Sequence, residues 1–429
     1  MKSIRTTAAA AVMALTTTGV LSATGALAET KPAEVISTYA DIALAGYEDS
    51  LATAKVLDTA IDKLIAAPSQ ETLEAARQAW FAARVPYQQT EVYRFGNAIV
   101  DDWEGRVNAW PLDEGLIDYV DASSYGTQSD ENELYTANII ANTSLTINGE
   151  TVDVTEITPD LLQNTLQEAG DVEANVATGY HAIEFLLWGQ DLNGTDAGAG
   201  ARPATDFDPA NCTGGHCDRR VQFLSSASKL LVADLEEMVG NWTKGGAARE
   251  ALVANGEAGA LRTILTGMGS LSYGELAGER MKLGLLLHDP EEEHDCFSDN
   301  THNSHYYDAL GISNIYHARY TRVDGSVVEG PSIAALVREA DASVADELSG
   351  KLEATHAAFT ELKTRGDESE AYDQMIGEGN EEGNAVVQAA IDALVDQTRS
   401  IERAVTALNL EALEVEGSDS LDNPGAVFE

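Results

Sequence analysis

Apolar residues recur every three or four positions through most of the chain, and this spacing predicts amphipathic helices. The longest such run covers residues 36–64. Ser69 follows it and is typical of a helix N-terminal cap, so we expect a second helix over 69–94. Pro86 lies within that second run and predicts a kink or a break there.

Further helical patterns occur in both halves of the chain. The first half has one more, which begins at 158 and restarts near Gly179, and the second half has patterns over 218–240, 246–256, 271–287, 331–364 and 383–413. Asn148-Gly149, between alternating apolar residues, predicts one β-hairpin. We therefore predict an all-α fold of two four-helix-bundle-like domains, with a small β-hairpin appendage in the first.

Composition changes suggest where the chain divides. A stretch rich in Gly, Asp and Pro over 193–211 is typical of a linker. We therefore predict helical-bundle domains over 29–205 and 206–415. The polar stretch 289–314 is expected to be a loop insert, and the acidic residues 416–429 are expected to be a disordered tail.

The first 28 residues have the features of a secretory signal peptide. Lys2 and Arg5 precede an apolar run, and Ala26-Leu27-Ala28 is typical of a cleavage site, so the mature chain would begin at Glu29. No later apolar run reaches the roughly 18 residues that a transmembrane helix needs. We expect an exported protein, located in the periplasm or associated with the outer membrane.

The chain is strongly acidic. It has 71 Asp and Glu against 26 Lys and Arg, which gives a formal net charge of −45. Such a surface repels nucleic acids and anionic membranes, so neither is an expected partner. Most of these carboxylates are expected to keep the protein soluble, and only convergent, partly buried ones are candidates for a site.

His181 and Glu184 are the first candidates for chemistry. On a helix, residues three apart share a face, so an imidazole and a carboxylate could converge on one metal ion. Chance alone predicts about 1.3 histidines followed three residues later by an acid, and the chain has three, the others at His288 and His305. Spacing is therefore not sufficient.

The apolar surroundings of His181 and Glu184 distinguish this pair from the other two. Burying an ionisable pair is unfavourable unless a partner compensates, so the pair indicates either a metal site or a hydrogen-bonded core pair. His288 is followed by Pro290, and His305 lies in the polar insert, which we expect to be a loop. Two reversed Glu-x-x-His pairs, ending at His294 and His356, are not expected to face a site.

The cysteines also carry information. Cys212 and Cys217 are close enough in sequence to close a short loop, and in an exported protein we predict a disulfide between them rather than part of a zinc site. Cys296 is left unpaired. No HExxH motif occurs in the sequence, so the standard arrangement of a zinc peptidase is not predicted.

Several separated segments resemble one known family. Gly179-Tyr180-His181-Ala182-Ile183-Glu184 matches the GxHxxE motif of the imelysin family. Other segments are similar to its iron-regulated protein A-like branch and follow in the same order, namely 86–95, 110–115, 278–281 and 296–302. Together they extend over most of the mature chain.

The resemblance implies two helical bundles with the GxHxxE residues near their interface, export by bacteria and a connection with iron acquisition. It also implies that His181 and Glu184 are the motif residues and proposed metal ligands. From the neighbouring motifs we expect additional site residues among Glu91, Arg94, Asp113, Glu279 and Asp299.

Three functions follow as hypotheses. The first is a protein that binds a metal ion, preferably iron and alternatively zinc, with an iron-uptake membrane component as a partner. The second is a metallopeptidase of the imelysin type, in which a carboxylate such as Glu91 activates water. The third is a non-catalytic helical interaction protein, in which the histidine–glutamate pair only stabilises the fold.

Overall fold

The computed structural model describes residues 29–428, so the predicted signal peptide lies outside the described residues. The fold is all-α, as predicted. The α-helices are α1 (Pro32–Ala66), α2 (Gln70–Gln88), α3 (Ala98–Glu104), α4 (Glu114–Ile117), α5 (Pro159–Leu161), α6 (Gly179–Trp188), α7 (Cys217–Trp242), α8 (Ala247–Val253), α9 (Gly256–Ser270), α10 (Leu283–Leu287), α11 (Thr301–His317), α12 (Ile333–Ala340), α13 (Ala342–Glu368), α14 (Tyr372–Ile376), α15 (Glu381–Ala407) and α16 (Asp419–Asp422).

Local sequence signals explain the first two helices. The Ser69 side chain accepts a hydrogen bond from the backbone N–H of Thr72, and the Thr72 hydroxyl accepts one from Ser69, so the two residues form a capping box at the start of α2. Pro86 lies inside α2, which ends two residues later at Gln88. The predicted break is therefore confirmed, and Glu91–Tyr93 forms a separate 3-10 turn.

The helices form two packed groups that meet. In the first group α1 packs along α2 and α7, and α6 packs against α2 and α7. In the second group α13 packs along α15. Helix α15 also packs against the helical segment 256–287, and α13 also packs against α11. The middle of that segment, Leu271–Lys282, is π-helical. Contacts between α2 and α11 join the two groups.

One continuous hydrophobic core includes buried residues from both sides of residue 205. The predicted division into 29–205 and 206–415 stays a prediction. Helix α7 follows that boundary in sequence, yet it packs against α1 and α6 of the first group.

Two small hairpins accompany the helices. The predicted one pairs β1 (Ser144–Ile147) with β2 (Glu150–Asp153), with Leu145 opposite Val152. A second hairpin, which the sequence did not predict, pairs β3 (Arg319–Thr321) with β4 (Val327–Glu329).

Two predicted irregular regions are ordered. The insert 289–314 was predicted to be a loop, but α11 begins inside it at Thr301, and its polar side chains His305 and Asp308 are fully buried. The tail from 416 was predicted to be disordered, but it contains α16. There the Ser420 hydroxyl donates a hydrogen bond to the Gly278 carbonyl oxygen. In both cases buried contacts order residues whose composition is typical of solvated segments.

None of the helices within residues 29–428 has an apolar stretch long enough to cross a membrane.

Candidate functional site

Helix α6 places the motif residues in the interior of the protein. All ten of its residues are buried. Gly179 begins the helix with φ of +80°, and a Cβ atom at this position would lie 2.3 Å from the Val107 carbonyl oxygen. Only glycine fits this approach without strain. Gly189, with φ of +73°, ends the helix.

The two predicted motif residues contact each other. Nδ1 of His181 lies 3.0 Å from Oε2 of Glu184. The other carboxylate oxygen of Glu184 accepts hydrogen bonds from the backbone N–H of Ser298 at 3.0 Å and from the Ser298 hydroxyl at 2.7 Å. Glu184 is therefore fully engaged, whereas Nε2 of His181 is buried and has no hydrogen-bond partner.

The segment after α10 brings His294 and Asp295 to the same place. The rings of His181 and His294 meet edge to face, with centroids 4.7 Å apart. One ligand atom from each of His181, His294 and Asp295 lies within 4.8 Å of the other two, and all three residues are buried. We call these three residues the central group.

Arg84 of α2 forms a buried ion pair with Asp295 of the central group. Its guanidinium donates a hydrogen bond to Oδ1 of Asp295 at 2.9 Å and to the Asn108 side-chain oxygen at 2.5 Å, and it lies 3.3 Å from Nδ1 of His294. Both members of the Arg84–Asp295 ion pair are almost completely buried. The pair therefore stays ionised only because each charge compensates the other.

Residues at the start of α11 orient the second oxygen of Asp295. That oxygen accepts hydrogen bonds from the side chains of Asn300, at 2.7 Å, and Ser304. A cleft of about 380 Å³ opens at this side of the central group, and Arg84, Asn300 and Ser304 are among the residues that line it. Asp295 thus connects the buried centre with a solvent-facing cleft.

Burial and neighbouring charges determine the protonation of the group. Burial lowers the pKa of His181 well below its usual value, and the nearby His294 and Arg84 lower it further. Burial raises the pKa of Glu184 well above its usual value, and the Asp295 charge adds to this. Arg84 holds the pKa of Asp295 well below the usual range against the opposing effect of burial. A neutral histidine with a free nitrogen beside an ionised aspartate can bind a metal ion.

Comparison with known proteins identifies the family of this chain. The model of the imelysin family matches residues 43–401, which is most of the chain. This chain belongs to the imelysin family. The predicted resemblance is therefore confirmed.

A relative and two solved structures are similar to this imelysin chain. Iron-regulated protein A of Synechococcus elongatus is 38% identical over 76 residues, which span 18% of this chain and only 21% of that relative. The crystal structure described as an iron-regulated protein A precursor from Parabacteroides distasonis superposes with a TM-score of 0.60 at 17% identity, covering 89% of this chain and 97% of that one. An imelysin-like protein from Psychrobacter arcticum gives 0.55 at 16% identity, covering 90% and 99%. At these identities the structures show a shared fold.

Two further predicted residues of the imelysin chain, Glu91 and Arg94, belong to a separate network of ion pairs. The Glu91 carboxylate accepts a hydrogen bond from Arg280 at 2.7 Å, and Arg280 also donates to Asp308 at 3.2 Å. Arg94 binds Asp101 at 2.9 Å and is half-buried. These contacts occupy both residues, and neither contacts the central group directly.

The remaining three predicted residues lie apart from His181. Asp113 accepts a hydrogen bond from the Asn132 side chain at 2.5 Å. Glu279 is exposed, whereas its neighbour Arg280 is buried. Asp299 lies with Glu293 and Asp373 in a second group of carboxylates. Of the seven predicted site residues, only His181 and Glu184 therefore belong to the central group or contact it.

Sequence reasoning missed Arg84, His294 and Asp295. His294 was expected to lie in a loop away from the site, but it is almost completely buried against His181. Arg84 could have been found from its position on the apolar face of a predicted helix. A charged residue on such a face is rarely buried without a charged partner, so it indicates a buried ion pair. Nothing in the local sequence identified its partner, which lies more than 200 residues later.

The structure has the disulfide and the unpaired cysteine that the sequence predicts. Cys212 and Cys217 form the predicted disulfide, with Cα atoms 5.9 Å apart. Cys296 is free, and burial raises the pKa of its thiol well above the usual value. Since the thiolate is the reactive form, this raised pKa lowers the reactivity of Cys296.

Proposed function

We propose that this imelysin-family protein binds one iron ion at the central group and takes part in bacterial iron acquisition. The observation that supports this most directly is the buried Nε2 of His181, which has no hydrogen-bond partner, in a residue that has one ligand atom within 4.8 Å of ligand atoms of His294 and Asp295. An unsatisfied nitrogen in the interior is unfavourable, and a metal ion would satisfy it.

The chemistry of the donors favours iron. Two imidazoles and one carboxylate are typical of mononuclear ferrous sites, whereas calcium prefers oxygen ligands alone. Zinc accepts the same donors and stays the alternative metal. In this arrangement Glu184 would act through His181, because its Oε2 lies 3.0 Å from Nδ1 of that histidine and orients the ring.

The positive charge of Arg84 opposes a bound cation, and two features reduce that effect. Arg84 is paired with Asp295 at 2.9 Å, and the carboxylate of Glu184 lies within the same buried region. The charge of Asp295 therefore compensates that of Arg84, and Glu184, whose pKa burial raises, would add a negative charge once a bound cation favours its ionised form.

Anaerobic titration with Fe²⁺, followed by calorimetry and by metal analysis, tests this proposal. We expect about one ion per chain and a loss of affinity of at least 100-fold in His181→Ala and in His294→Ala. His356→Ala removes an exposed histidine of α13 and is the matched control. Equal iron binding by His181→Ala and wild type would contradict the proposal, and a parallel titration with Zn²⁺ separates the two metals.

We also infer that the protein acts outside the cytoplasm, in contact with an iron-uptake membrane component. The basis is the signal-like N-terminus together with the name of its relative in Synechococcus elongatus, iron-regulated protein A. N-terminal sequencing of the protein from a periplasmic fraction should begin at Glu29. A full-length chain recovered only from the cytoplasm would contradict export.

The metallopeptidase alternative has less support from the contacts. Glu91, the carboxylate expected to activate water, is bonded to Arg280, and Glu184 is bonded to His181 and Ser298. Neither is free to accept a proton from a water molecule. Metal-dependent cleavage of an unfolded peptide, lost in Glu184→Gln, would restore this alternative.

A further inference from the structure

Three carboxylates from two distant parts of the chain converge beside the central group. Glu293 and Asp299 flank the segment that carries His294 and Asp295, and Asp373 lies in the first turn of α14. One oxygen from each of Glu293, Asp299 and Asp373 lies within 4.8 Å of the other two. We call these three residues the acidic triad.

The acidic triad has no compensating partner. Glu293 is 1% exposed and Asp373 0% exposed. Four buried oxygens, one each from Glu293 and Asp299 and both from Asp373, have no hydrogen-bond partner. Among residues 29–428, no ion pair with Lys, Arg or His includes any of the three. Ionised carboxylates buried in this state are strongly unfavourable without a counter-charge, so the three groups must either hold protons or face a bound cation.

We propose that Glu293, Asp299 and Asp373 form a second cation site, selective for Ca²⁺, beside the histidine-containing central group. All the donors are oxygens, which suits a hard cation and disfavours iron or zinc. Ca²⁺ accepts several carboxylates in irregular geometry, whereas Mg²⁺ requires a near-octahedral arrangement and retains its own water molecules.

The position of the triad gives this site a structural role. Glu293 directly precedes His294, and Asp299 directly follows Ser298, which donates two hydrogen bonds to Glu184. A cation held by both carboxylates would fix the two ends of the 293–299 segment and tie it to α14. Ca²⁺ would thus order the segment that supplies two of the three central-group residues.

Further carboxylates lie close to Glu293 of the triad. Glu293 lines a small cavity, and the other residues of its wall include Glu114, Asp191 and Glu291. Acidic walls raise the local concentration of cations, which favours their entry.

Calorimetric titration of EDTA-treated protein with Ca²⁺ tests the proposal. We expect about one saturable site per chain and a raised melting temperature, with affinity for Mg²⁺ at least 10-fold weaker. Asp373→Asn and Asp299→Asn should each weaken Ca²⁺ binding by at least about 10-fold. Asp299 is only partly buried, so its variant stays informative if Asp373→Asn fails to fold.

Two controls separate this site from the rest of the protein. Glu353→Gln removes one exposed carboxylate and should bind Ca²⁺ as wild type does, which excludes an effect of the acidic surface. His181→Ala should retain Ca²⁺ binding even where it loses iron, so the two proposals can fail independently. Absence of saturable Ca²⁺ binding, or equal binding by wild type and both aspartate variants, would overturn the proposal.

Terbium luminescence offers a local readout. The indole N–H of Trp110 donates a hydrogen bond to the Glu293 carbonyl oxygen at 3.0 Å, so Trp110 lies close enough to transfer energy to Tb³⁺ at the triad. Excitation of tryptophan should produce Tb³⁺ emission that Ca²⁺ displaces. Emission that persists undiminished in Asp373→Asn would place the ion elsewhere and count against the site.

Discussion

Nδ1 of His181 lies 3.0 Å from Oε2 of Glu184, so the two residues of the GxHxxE motif are bonded to each other rather than pointing separately at a shared ligand. One ring nitrogen is thereby used to hold the imidazole in position, and the other is buried without a hydrogen-bond partner. The glutamate of the motif acts by orienting the histidine, and this relationship can be tested by substitution.

Glu184→Gln retains an oxygen that can accept a hydrogen bond but cannot take a negative charge. We expect the fold to persist and the affinity for Fe²⁺ to fall by about 10–100-fold, which is typical when the partner of a metal-binding histidine is changed. Glu184→Ala instead leaves His181 and both donors of Ser298 without an acceptor, and it should lower the free energy of unfolding by about 3 kcal/mol. Urea unfolding and iron titration measure the two effects separately. Equal iron affinity in Glu184→Gln and wild type would show that the charge of Glu184 is irrelevant to the site.

Arg84→Met tests the buried ion pair with Asp295. Removing the guanidinium leaves the Asp295 charge buried and uncompensated, so the free energy of unfolding should fall by about 3–5 kcal/mol. Arg338→Met breaks an exposed pair with Asp346, and we expect a change within about 1 kcal/mol. Denaturant titration of both variants provides the comparison. Similar losses in the two would mean that the buried pair contributes no more than a surface one.

Glu114 gives a pH dependence with a definite sign. Its carboxyl is buried, and burial together with the charge of Glu291 raises its pKa from 4.5 to about 8. The folded state therefore holds a proton that the unfolded state has lost between these two values, so this group's contribution to stability is complete at pH 4 and declines as the pH rises towards 8. Glu114→Gln removes the titration.

We therefore expect the stability of Glu114→Gln to exceed that of wild type increasingly above pH 5, by up to roughly 1.4 kcal/mol per pH unit, with little difference at pH 4. Thermal unfolding in EDTA at several pH values measures this. A difference that is the same at every pH would contradict the assigned pKa shift.

The disulfide between Cys212 and Cys217 closes a loop with a sequence separation of five residues just before α7. Closure of so short a loop reduces the entropy of the unfolded chain modestly, so Cys212→Ser with Cys217→Ser should lower the free energy of unfolding by about 2 kcal/mol. The variant should be insensitive to added reductant, whereas wild type should lose a similar amount of stability on reduction. A reductant effect in the double variant would point to another cause.

The sequence was informative wherever structure depends on neighbouring residues. Periodicity located α1, Ser69 marked the start of α2, and Asn148-Gly149 marked the first hairpin. Each of these signals acts over a few residues and depends on local sterics or hydrogen bonding. Gly179 of the GxHxxE motif is also a local signal, because it marks the start of α6. Only the structure identifies the Val107 carbonyl oxygen that excludes a side chain at this position.

The rest of the site depends on contacts between distant residues. Helix α11 was missed because its His305 and Asp308 have the composition of a solvated loop, yet they are buried where the two helical groups meet. Arg84 and Asp295 are more than 200 residues apart, and no spacing rule connects them. Polar residues that are buried between packed helices are therefore missed when polarity is taken as a sign of exposure.

The central group is built from α6 and from a segment more than 100 residues later, with Arg84 of α2 beside it. A nascent or truncated chain that stops before His294 has His181 and Glu184 but lacks His294, Asp295 and the Ser298 donors that hold Glu184. Such a chain cannot present the complete set of ligands, however well its first helices pack. If the proposed ion binds at this position, its uptake requires the first 295 residues, which are more than two thirds of the polypeptide.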